Sequence, residues 1–443
     1  MNYAKILHNS KLLSILYIVR GIIMIGEIYF NNYRLFKNEN SISFIADLRT
    51  KKLLSNTVEV DGKSVLKSIG LYGANNSGKT NIMDLIKNLK IVLSGGDKFI
   101  FNREVFNDDG LCDIAITFNN LDDSGWLKYE FSYSSKELKF IKEKISEIKY
   151  YDGSTKIESV IFEKDLNNKI FQIYNENFSE YLEVIPSRLP TLYSIELDEK
   201  GKFSNALPLR DALKKCSDNI ELIQMFNIPI QKTIETLKGT NEDKKRFILS
   251  FVKDADLSID GFSYSKDIKI VDNNNKPIEE KSLLEFNDTL DMLHLTTKYG
   301  DKQVPSLLYD SSGTKKIEAI ASYIYEAISM GKTLIVDELD NGLHYRLTRA
   351  IVSAFNSIAN TKGQILFSAH DLQLIASKNL LRKDQIYFLE RNIESAKVIC
   401  LKEMTVANGG PRNETELLKK YNHGDFVNLP KPEFTRDILK INQ

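Results

Sequence analysis

The chain has 443 residues, of which 42% are hydrophobic, and its 60 basic residues balance its 60 acidic residues. This length and composition are typical of a globular protein with two or three domain-sized units and a large core. A neutral chain has no overall field that would draw it to an anionic membrane or to nucleic acid, so binding to DNA or RNA would need a local basic patch.

The start of the chain contains an apolar run at residues 12–19, which Arg20 ends. The run is about half the roughly twenty residues that a membrane span needs, and no small-residue cleavage site follows it. We therefore interpret residues 1–23 as a leader outside the fold, with Met24 as the start of the folded unit, and we expect no membrane contact.

Residues 24–174 are predicted to begin with two strands, at 25–30 and near 41–46. An apolar run at 65–71 predicts a strand, and apolar residues at helical spacing predict a helix over 81–92. Between about 112 and 174, several runs alternate apolar and polar residues with turn residues between them. This alternation indicates an antiparallel β subdomain.

The loop before that helix reads G-A-N-N-S-G-K-T at residues 73–80, which matches the phosphate-binding pattern G-x-x-x-x-G-K-[ST]. Such a loop turns backbone N–H groups towards an anion at a helix N-terminus, where the helix dipole also favours negative charge. Lys79 is expected to reach the β and γ phosphates of ATP, and the Thr80 hydroxyl to coordinate Mg²⁺. The alternative is a turn that binds nothing, and the strand before the loop and the helix after it argue against that. The predicted nucleotide-binding residues of the loop are Gly73, Asn75, Asn76, Ser77, Gly78, Lys79 and Thr80.

Residues 175–290 are predicted to form a mostly helical insertion. Apolar residues from 207 to 226, including Ile220, Leu222, Ile223 and Phe226, are interpreted as helical, and a charged helix is predicted at 241–252. A hairpin at 259–271 and a turn at 272–277 follow. No heptad pattern is sustained, so the insertion is not a long coiled coil.

In residues 291–443, a buried strand is predicted to end in Asp337 and Glu338. Ligands of open α/β sheets bind at the carboxyl ends of the strands. Asp337 can therefore hold Mg²⁺, and Glu338 can polarise an attacking water. A second such strand, at 364–369, is followed by His370, although a single histidine in this position is more often structural.

Two amphipathic helices are predicted in the same part of the chain. One covers 311–330 and begins with small polar residues and a glycine, which is a potential anion site but by itself indicates only a helix cap. The other covers 343–358. Cys112, Cys216 and Cys400 have neither metal-ligand spacing nor a paired pattern, which fits a reducing cytoplasm, and no function is assigned to them.

Four segments resemble the ATPase heads of the ABC superfamily when they are taken in their order along the chain. They are the phosphate loop, the small-residue helix start, the strand that ends in Asp337 and Glu338, and the strand that precedes His370. The resemblance is to the branch that holds SMC, RecF and the overcoming-lysogenisation-defect nucleases, and it is closest to bacterial abortive-infection AAA ATPases of the AbiL/RloA kind. The segments that carry it are residues 73–81, 311–315, 336–344, 368–371, 382–388 and 421–426.

The resemblance implies an α/β fold: an ABC-ATPase head, which is a P-loop NTPase with a mixed sheet and flanking helices, with the antiparallel β subdomain and the mostly helical insertion attached. Lys79 and Thr80 would be its Walker A pair. Asp337, as a metal ligand, and Glu338, as the catalytic base, would be its Walker B pair.

The resemblance also implies roles for residues near the γ-phosphate. Ser311, Ser312 and Gly313 would form the signature contact, Asp340 would belong to the D-loop, and His370 would be the catalytic switch histidine. No glutamine after the phosphate loop fits the Q-loop, so the sensor that links the γ-phosphate to the insertion is unassigned. A serine, Ser311, stands where transporters have leucine, which argues against a transporter subunit.

We therefore expect a cytoplasmic ATPase that uses ATP and Mg²⁺ and forms a homodimer or a higher oligomer around ATP. By resemblance it would be the sensor and regulator of an anti-phage, abortive-infection-like system and would control a separate toxic effector, such as a nuclease.

Three other functions are open. A RecF-like or SMC-like DNA repair or maintenance ATPase is disfavoured by the neutral charge. An ATP-gated nuclease is disfavoured because no carboxylate cluster lies outside the head. A nucleotide-clamped scaffold would be distinguished by its failure to hydrolyse ATP.

Overall fold

A computed structural model describes residues 22–101, 111–120, 125–151, 155–195, 201–255, 258–266, 291–377, 379–404 and 414–424. The strands are β1 (Ile25–Asn31), β2 (Asn40–Ser43), β3 (Thr57–Val60), β4 (Lys63–Leu66), β5 (Ser68–Tyr72), β6 (Cys112–Asn119), β7 (Trp126–Ser134), β8 (Lys139–Tyr151), β9 (Thr155–Asp165), β10 (Ile170–Ile173), β11 (Glu176–Asn177), β12 (Ile220–Gln224), β13 (Gly261–Tyr264), β14 (Leu295–Tyr299), β15 (Lys302–Pro305), β16 (Thr333–Asp337), β17 (Gln364–Ala369), β18 (Ile386–Arg391) and β19 (Ala396–Cys400). The helices are α1 (Lys79–Leu93), α2 (Thr191–Ser194), α3 (Leu207–Asn219), α4 (Gln231–Lys238), α5 (Glu242–Ala255), α6 (Ser306–Tyr309), α7 (Ser312–Met330), α8 (Tyr345–Asn356), α9 (Gln373–Ala376) and α10 (Glu414–His423).

A six-stranded sheet forms the head, in the order β12-β16-β17-β5-β18-β19. All neighbouring strands run parallel except β19, which is antiparallel to β18. Every residue of β5, β16 and β17 is buried, as expected for parallel strands covered by helices on both faces. The parallel direction brings the carboxyl ends of these three strands to one edge.

The second large sheet has eight strands in the order β11-β10-β9-β8-β7-β6-β1-β2. Residues of β1 and β7 alternate between buried and partly exposed positions, as the alternating sequence predicts. An aromatic cluster lies on one face of this sheet, with ring centroids 5.2 to 5.9 Å apart. Its members are Phe131 and Tyr133 of β7, Phe140 of β8, and Phe99 and Phe101, which precede the sheet strand β6. The two sheets and their helices confirm the predicted α/β class with its antiparallel β subdomain.

The helical interpretation of Ile220, Leu222 and Ile223 is wrong. Helix α3 ends at Asn219, and the chain continues as β12, which pairs in parallel with β16 along its whole length. Phe226, predicted on the same helical face, is 64% exposed. A five-residue run with two isoleucines suits a strand as well as a helix, and the neighbouring strand β16 decides between them.

Other parts of the predicted insertion agree more closely with the sequence. The charged helix predicted at 241–252 is confirmed as α5. The predicted hairpin begins with β13, but the described partner of β13 is β14, which lies beyond the predicted insertion and pairs in turn with β15. The second half of the predicted 259–271 hairpin and the 272–277 turn lie outside the described residues.

The fold begins before Met24. Ile23 is 4% exposed, and Ile22 packs against Gly331, which follows α7. The predicted helix over 343–358 is shorter in the structure, and Ile358 beyond its end is 83% exposed. The leader stays a prediction for residues 1–21, which the structure does not describe. In the part of the chain that it does describe, no helix is both long and apolar enough to cross a membrane.

Cys112, Cys216 and Cys400 are buried free thiols. Burial raises the pKa of Cys400 to about 11, and it raises the pKa values of the other two thiols as well. Thiols with raised pKa values stay protonated at neutral pH, so they are poor nucleophiles and poor metal ligands.

Candidate functional site

The phosphate loop joins the carboxyl end of β5 to the first turn of α1. Its Gly78 has φ 106°, and a Cβ atom there would lie 2.8 Å from Cζ of Phe36. A Cβ at Gly73 would lie 2.6 Å from Oγ of Ser77 and 2.8 Å from the carbonyl oxygen of Leu389. Both glycines are therefore required by the close approach of neighbouring atoms, and Gly78 also by its left-handed backbone.

Lys79 is 6% exposed and points back into the loop. Its Nζ donates to the carbonyl oxygens of Gly73, at 2.6 Å, and Ala74, at 3.0 Å. Burial lowers the pKa of Lys79, and the nearby Asp337 carboxylate acts in the opposite direction. An ammonium group has three N–H donors, so one remains for an acceptor in the cleft.

Asp337 ends β16 and is held on both carboxylate oxygens. Thr80 donates from Oγ1 to Oδ2 at 3.3 Å, and Ser368 donates from Oγ to Oδ1 at 2.6 Å. The same Ser368 oxygen accepts the backbone N–H of Glu338 at 2.7 Å. Ser368 was not predicted to have a role; its signal is a hydroxyl near the end of a strand that is apolar from Ile365 to Phe367.

Glu338 follows β16 and has φ 56°, which is uncommon for a residue with a side chain. Asn341 fixes its carboxylate by donating from Nδ2 to Oε2 at 2.7 Å, and it also donates its backbone N–H to the Glu338 carbonyl at 2.8 Å. A strained backbone that its surroundings hold in place is typical of functional positions.

Asp340 lies in the turn after β16. Its Oδ2 accepts the backbone N–H groups of His370, at 2.8 Å, and Asp371, at 2.6 Å. Asp340 therefore fixes the backbone from which the exposed His370 side chain projects at the end of β17.

These elements enclose a cleft of about 300 Å³. Of the predicted site residues, those that line it are Asn75, Asn76, Gly78, Lys79, Thr80, Asp337, Glu338 and His370. Leu35 and Asn81 also line it and were not predicted. Gly73 and Ser77 shape the loop from behind, and Ser77 Oγ is buried without a protein partner among the described atoms.

The predicted signature segment lies elsewhere in the same chain. Ser311 caps α7 by accepting the backbone N–H of Thr314 at 3.1 Å, and Ser312 in the first turn is exposed. Ser311 and Gly313 line a separate cleft of about 180 Å³ with Gly342. None of the three predicted signature residues is among those that line the first cleft.

A metal site in the first cleft would use the Thr80 hydroxyl and the Asp337 carboxylate. Hydroxyl and carboxylate oxygens are the hard donors that suit Mg²⁺, which keeps several water ligands and needs few protein ligands. The donor set therefore fits this ion. The described residues contain no group of three or more His, Cys, Asp and Glu side chains that could hold a metal by themselves.

The profile of a family described as "AAA domain, putative AbiEii toxin, Type IV TA system" matches residues 68–376. No curated protein sequence matches the chain.

Solved structures that are similar to this chain include three SMC heads. One is an SMC head bound to the C-winged helix domain of ScpA, with 14% identity over 86% of this chain and 99% of that one, and a TM-score of 0.41. Another is the SMC head domain from Thermotoga maritima, with 11% identity over 85% and 98%, and a TM-score of 0.38. The third is an Smc head domain with an extended coiled coil, bound to the C-terminal domain of ScpA derived from Pyrococcus furiosus, with 14% identity over 86% and 98%, and a TM-score of 0.39.

Proposed function

The chain belongs to the AAA-domain family described as a putative AbiEii toxin of a type IV toxin–antitoxin system, and from this we propose that it is a Mg²⁺-dependent ATPase that regulates an abortive-infection-like defence system. The observation that carries the ATPase proposal is the single cleft that collects Lys79, Thr80, Asp337, Glu338 and His370. A cation, a hydroxyl and two acids grouped around a phosphate loop are the parts that phosphoryl transfer from ATP requires.

The phosphates of ATP would lie over the loop, against the N-terminus of α1. Burial of an ammonium group costs on the order of several kcal/mol unless it is paired. Lys79 is paired with carbonyl dipoles and faces the carboxylates across the cleft, so a polyphosphate would complete its pairing. The buried Ser77 hydroxyl is a further polar group of the loop, and it lacks a protein partner in the described structure.

Thr80 and Asp337 would hold Mg²⁺, whose chemistry is to neutralise charge on the phosphates. Oδ1 of Asp337 accepts from Ser368 and Oδ2 accepts from Thr80, so the two proposed metal ligands lie beside each other.

Hydrolysis is assigned to Glu338, which would orient and polarise the attacking water. Its backbone is held by Ser368 and its carboxylate by Asn341, so the base is fixed before a substrate binds. His370 would approach the γ-phosphate from the neighbouring strand end, on a backbone that Asp340 holds.

Replacing Asp337 with Ala is expected to weaken the binding of Mg²⁺-ATP far more than that of ATP in EDTA, because the carboxylate acts through the ion. Titration of a fluorescent ATP analogue with and without Mg²⁺ measures both affinities. The control is Asp84→Ala. Asp84 lies near the start of α1, pairs with Arg34 at 2.6 Å and does not line the cleft. Equal weakening of both nucleotide forms by Asp337→Ala would remove Asp337 from the metal site.

The regulatory part of the proposal is that ATP joins two copies of the chain, and that their closure and opening control a separate toxic effector in the cytoplasm. It rests on the family description and on the exposed position of Ser312, which leaves it accessible to a second copy. ATP can shift the equilibrium between the closed and open states only by the difference between its binding free energies for those two states.

Phage infection of cells that carry the chain and its neighbouring reading frame tests this part. We expect the pair to lower plaque counts, and we expect Lys79→Ala or removal of either gene to abolish protection. Protection that survives Lys79→Ala would exclude ATP from the mechanism. Protection by the chain alone would place the toxic activity on this chain.

A further inference from the structure

A group of polar side chains, all buried except the partly exposed Tyr299, lies next to the predicted signature segment. We call it the carboxyl cluster; its members are Thr297, Tyr299, Ser306, Asp310 and Glu318. Asp310 and Glu318 are 6% and 1% exposed. Asp310 immediately precedes Ser311, the cap of α7, and Glu318 lies within α7.

Every oxygen of the two carboxyl groups in the cluster has a hydroxyl neighbour. Tyr299 donates to Oδ1 of Asp310 at 2.6 Å, and Thr297 donates to Oδ2 at 2.5 Å. Ser306 donates to Oε2 of Glu318 at 2.5 Å, and Oε1 of Glu318 lies 3.3 Å from Oγ1 of Thr297. The cluster therefore joins strand β14 to Asp310, directly before the cap of α7, and joins β14 and helix α6 to Glu318 in the second turn of α7.

The two carboxyl groups of the cluster share one hydroxyl. Thr297 has a single hydroxyl hydrogen, and its Oγ1 lies 2.5 Å from Oδ2 of Asp310 but 3.3 Å from Oε1 of Glu318. Two buried carboxylates this close together repel each other, which favours a state in which one of them is protonated. Burial, and next the Asp310 carboxylate, raise the pKa of Glu318 to about 9.

The cluster also connects the signature helix to the insertion. Strand β14, which supplies Thr297 and Tyr299, pairs with β13. On another side, Thr233 of α4 donates to the carbonyl oxygen of Glu318 at 2.9 Å, and its Oγ1 lies 2.9 Å from Oγ of Ser322. The first turns of α7 are thus attached to β14 of the three-stranded sheet and to α4 of the insertion.

We propose that Asp310 and Glu318 are positioning residues that set the start of α7, and that through Thr297 and Tyr299 they couple the three-stranded sheet to the signature segment. This rests on the proposed function, in which Ser312 and Gly313 meet the ATP of a second copy. A displacement of β14 moves the Asp310 carboxylate and, with it, the cap of α7.

Two tyrosine variants in the same sheet test the coupling. Tyr299→Phe removes the hydroxyl that donates to Asp310, and its control Tyr264→Phe removes one that donates to Asp291 at 2.7 Å. Misplacement of a reacting group by about 1 Å costs up to a hundredfold in rate. We expect Tyr299→Phe to lower kcat about tenfold with the ATP dissociation constant unchanged, and we expect Tyr264→Phe to change neither.

The two possible failures of that experiment are distinct. If the wild-type chain binds ATP without hydrolysing it, the proposed function fails. If the wild type hydrolyses ATP and the two tyrosine variants have equal kcat, the coupling fails and the proposed function stands. The unfolding temperatures of both variants distinguish a specific loss of kcat from a general loss of stability, which would lower ATP binding as well.

The pH dependence of Glu318→Gln gives a second readout. The folded pKa of Glu318 lies above its usual value of 4.5, so the stability from the neutral carboxyl is full below pH 4.5 and is lost as the pH rises towards 9. The groups that face Glu318 are Asp310, Thr297 of β14 and Ser306 of α6.

We expect kcat and unfolding temperature of the wild type to fall as the pH rises towards 9, and Glu318→Gln, which cannot ionise, to lose that fall while keeping its activity at pH 7. An identical alkaline fall in both proteins would overturn the protonated state of the cluster. Loss of activity at pH 7 in a folded Glu318→Gln protein would do the same, because glutamine resembles the protonated acid.

Discussion

Glu338→Gln is expected to lower ATP turnover by about a hundredfold or more while leaving the affinity for ATP unchanged. Glutamine has the shape of glutamate and can still accept the Nδ2 hydrogen bond of Asn341, but it cannot accept a proton from water. Single-turnover hydrolysis and equilibrium binding measure the two quantities separately. The control is Glu390→Gln, which removes the β18 carboxylate that pairs with Lys397 of β19 and that does not line the cleft.

The same variant should accumulate the closed, ATP-bound assembly, because ATP stays in place when it is not hydrolysed. Size-exclusion chromatography with ATP would detect it. Parallel loss of binding and turnover would instead assign Glu338 to the structure of the strand end. Its left-handed backbone does not complicate the comparison, since glutamate and glutamine bear the same strain.

The second large effect concerns a composite site, in which Lys79 of one copy and Ser312 of another hold the same ATP. Ser312 stands exposed in the first turn of α7 and does not line the cleft that holds Lys79. The N–H groups of that turn would add donors to a γ-phosphate across the interface. Lys79→Ala and Ser312→Arg are each expected to be inactive alone, and Ser312→Arg should still bind ATP.

Mixing the two variants is expected to restore part of the ATPase activity, because a mixed dimer has one site with both defects and one intact site. Ser329→Arg, at the exposed far end of α7, is the control for adding an arginine to this helix. If mixed dimers form and hydrolyse no more than either variant, the composite site is excluded, unless both sites must act together. A burst of one ATP per dimer would identify that case.

The local chemistry of the cleft could be predicted from the sequence. The phosphate loop and the Asp-Glu pair each follow a short apolar strand, and a parallel sheet brings the ends of such strands to one edge. Lys79, Thr80, Asp337, Glu338 and His370 are accordingly found together. The eight-stranded sheet was predictable for a similar reason, because each strand shows its own alternation.

Features that depend on distant neighbours could not be predicted. Strand β12 begins directly after α3, and its pairing with β16 makes it a strand. The role of Ser368 depends on the register that places its hydroxyl beside Asp337. In the sequence, Asp310 and Glu318 have the pattern of solvent-exposed acids near the start of a helix. In the structure both are buried, with hydroxyl partners from β14 and α6.

The position of β12 decides how this chain can be shortened. Excision of residues 175–290 as a helical module would remove β12 and leave the N–H and C=O groups of β16 without partners along one edge. Unpaired strand edges pair with other chains and aggregate. That edge belongs to the strand that ends in Asp337, so a truncated head would lose order at the proposed ATP site. A minimal head must therefore keep Ile220–Gln224, and it must also keep α4 and α5, whose apolar residues pack against α7.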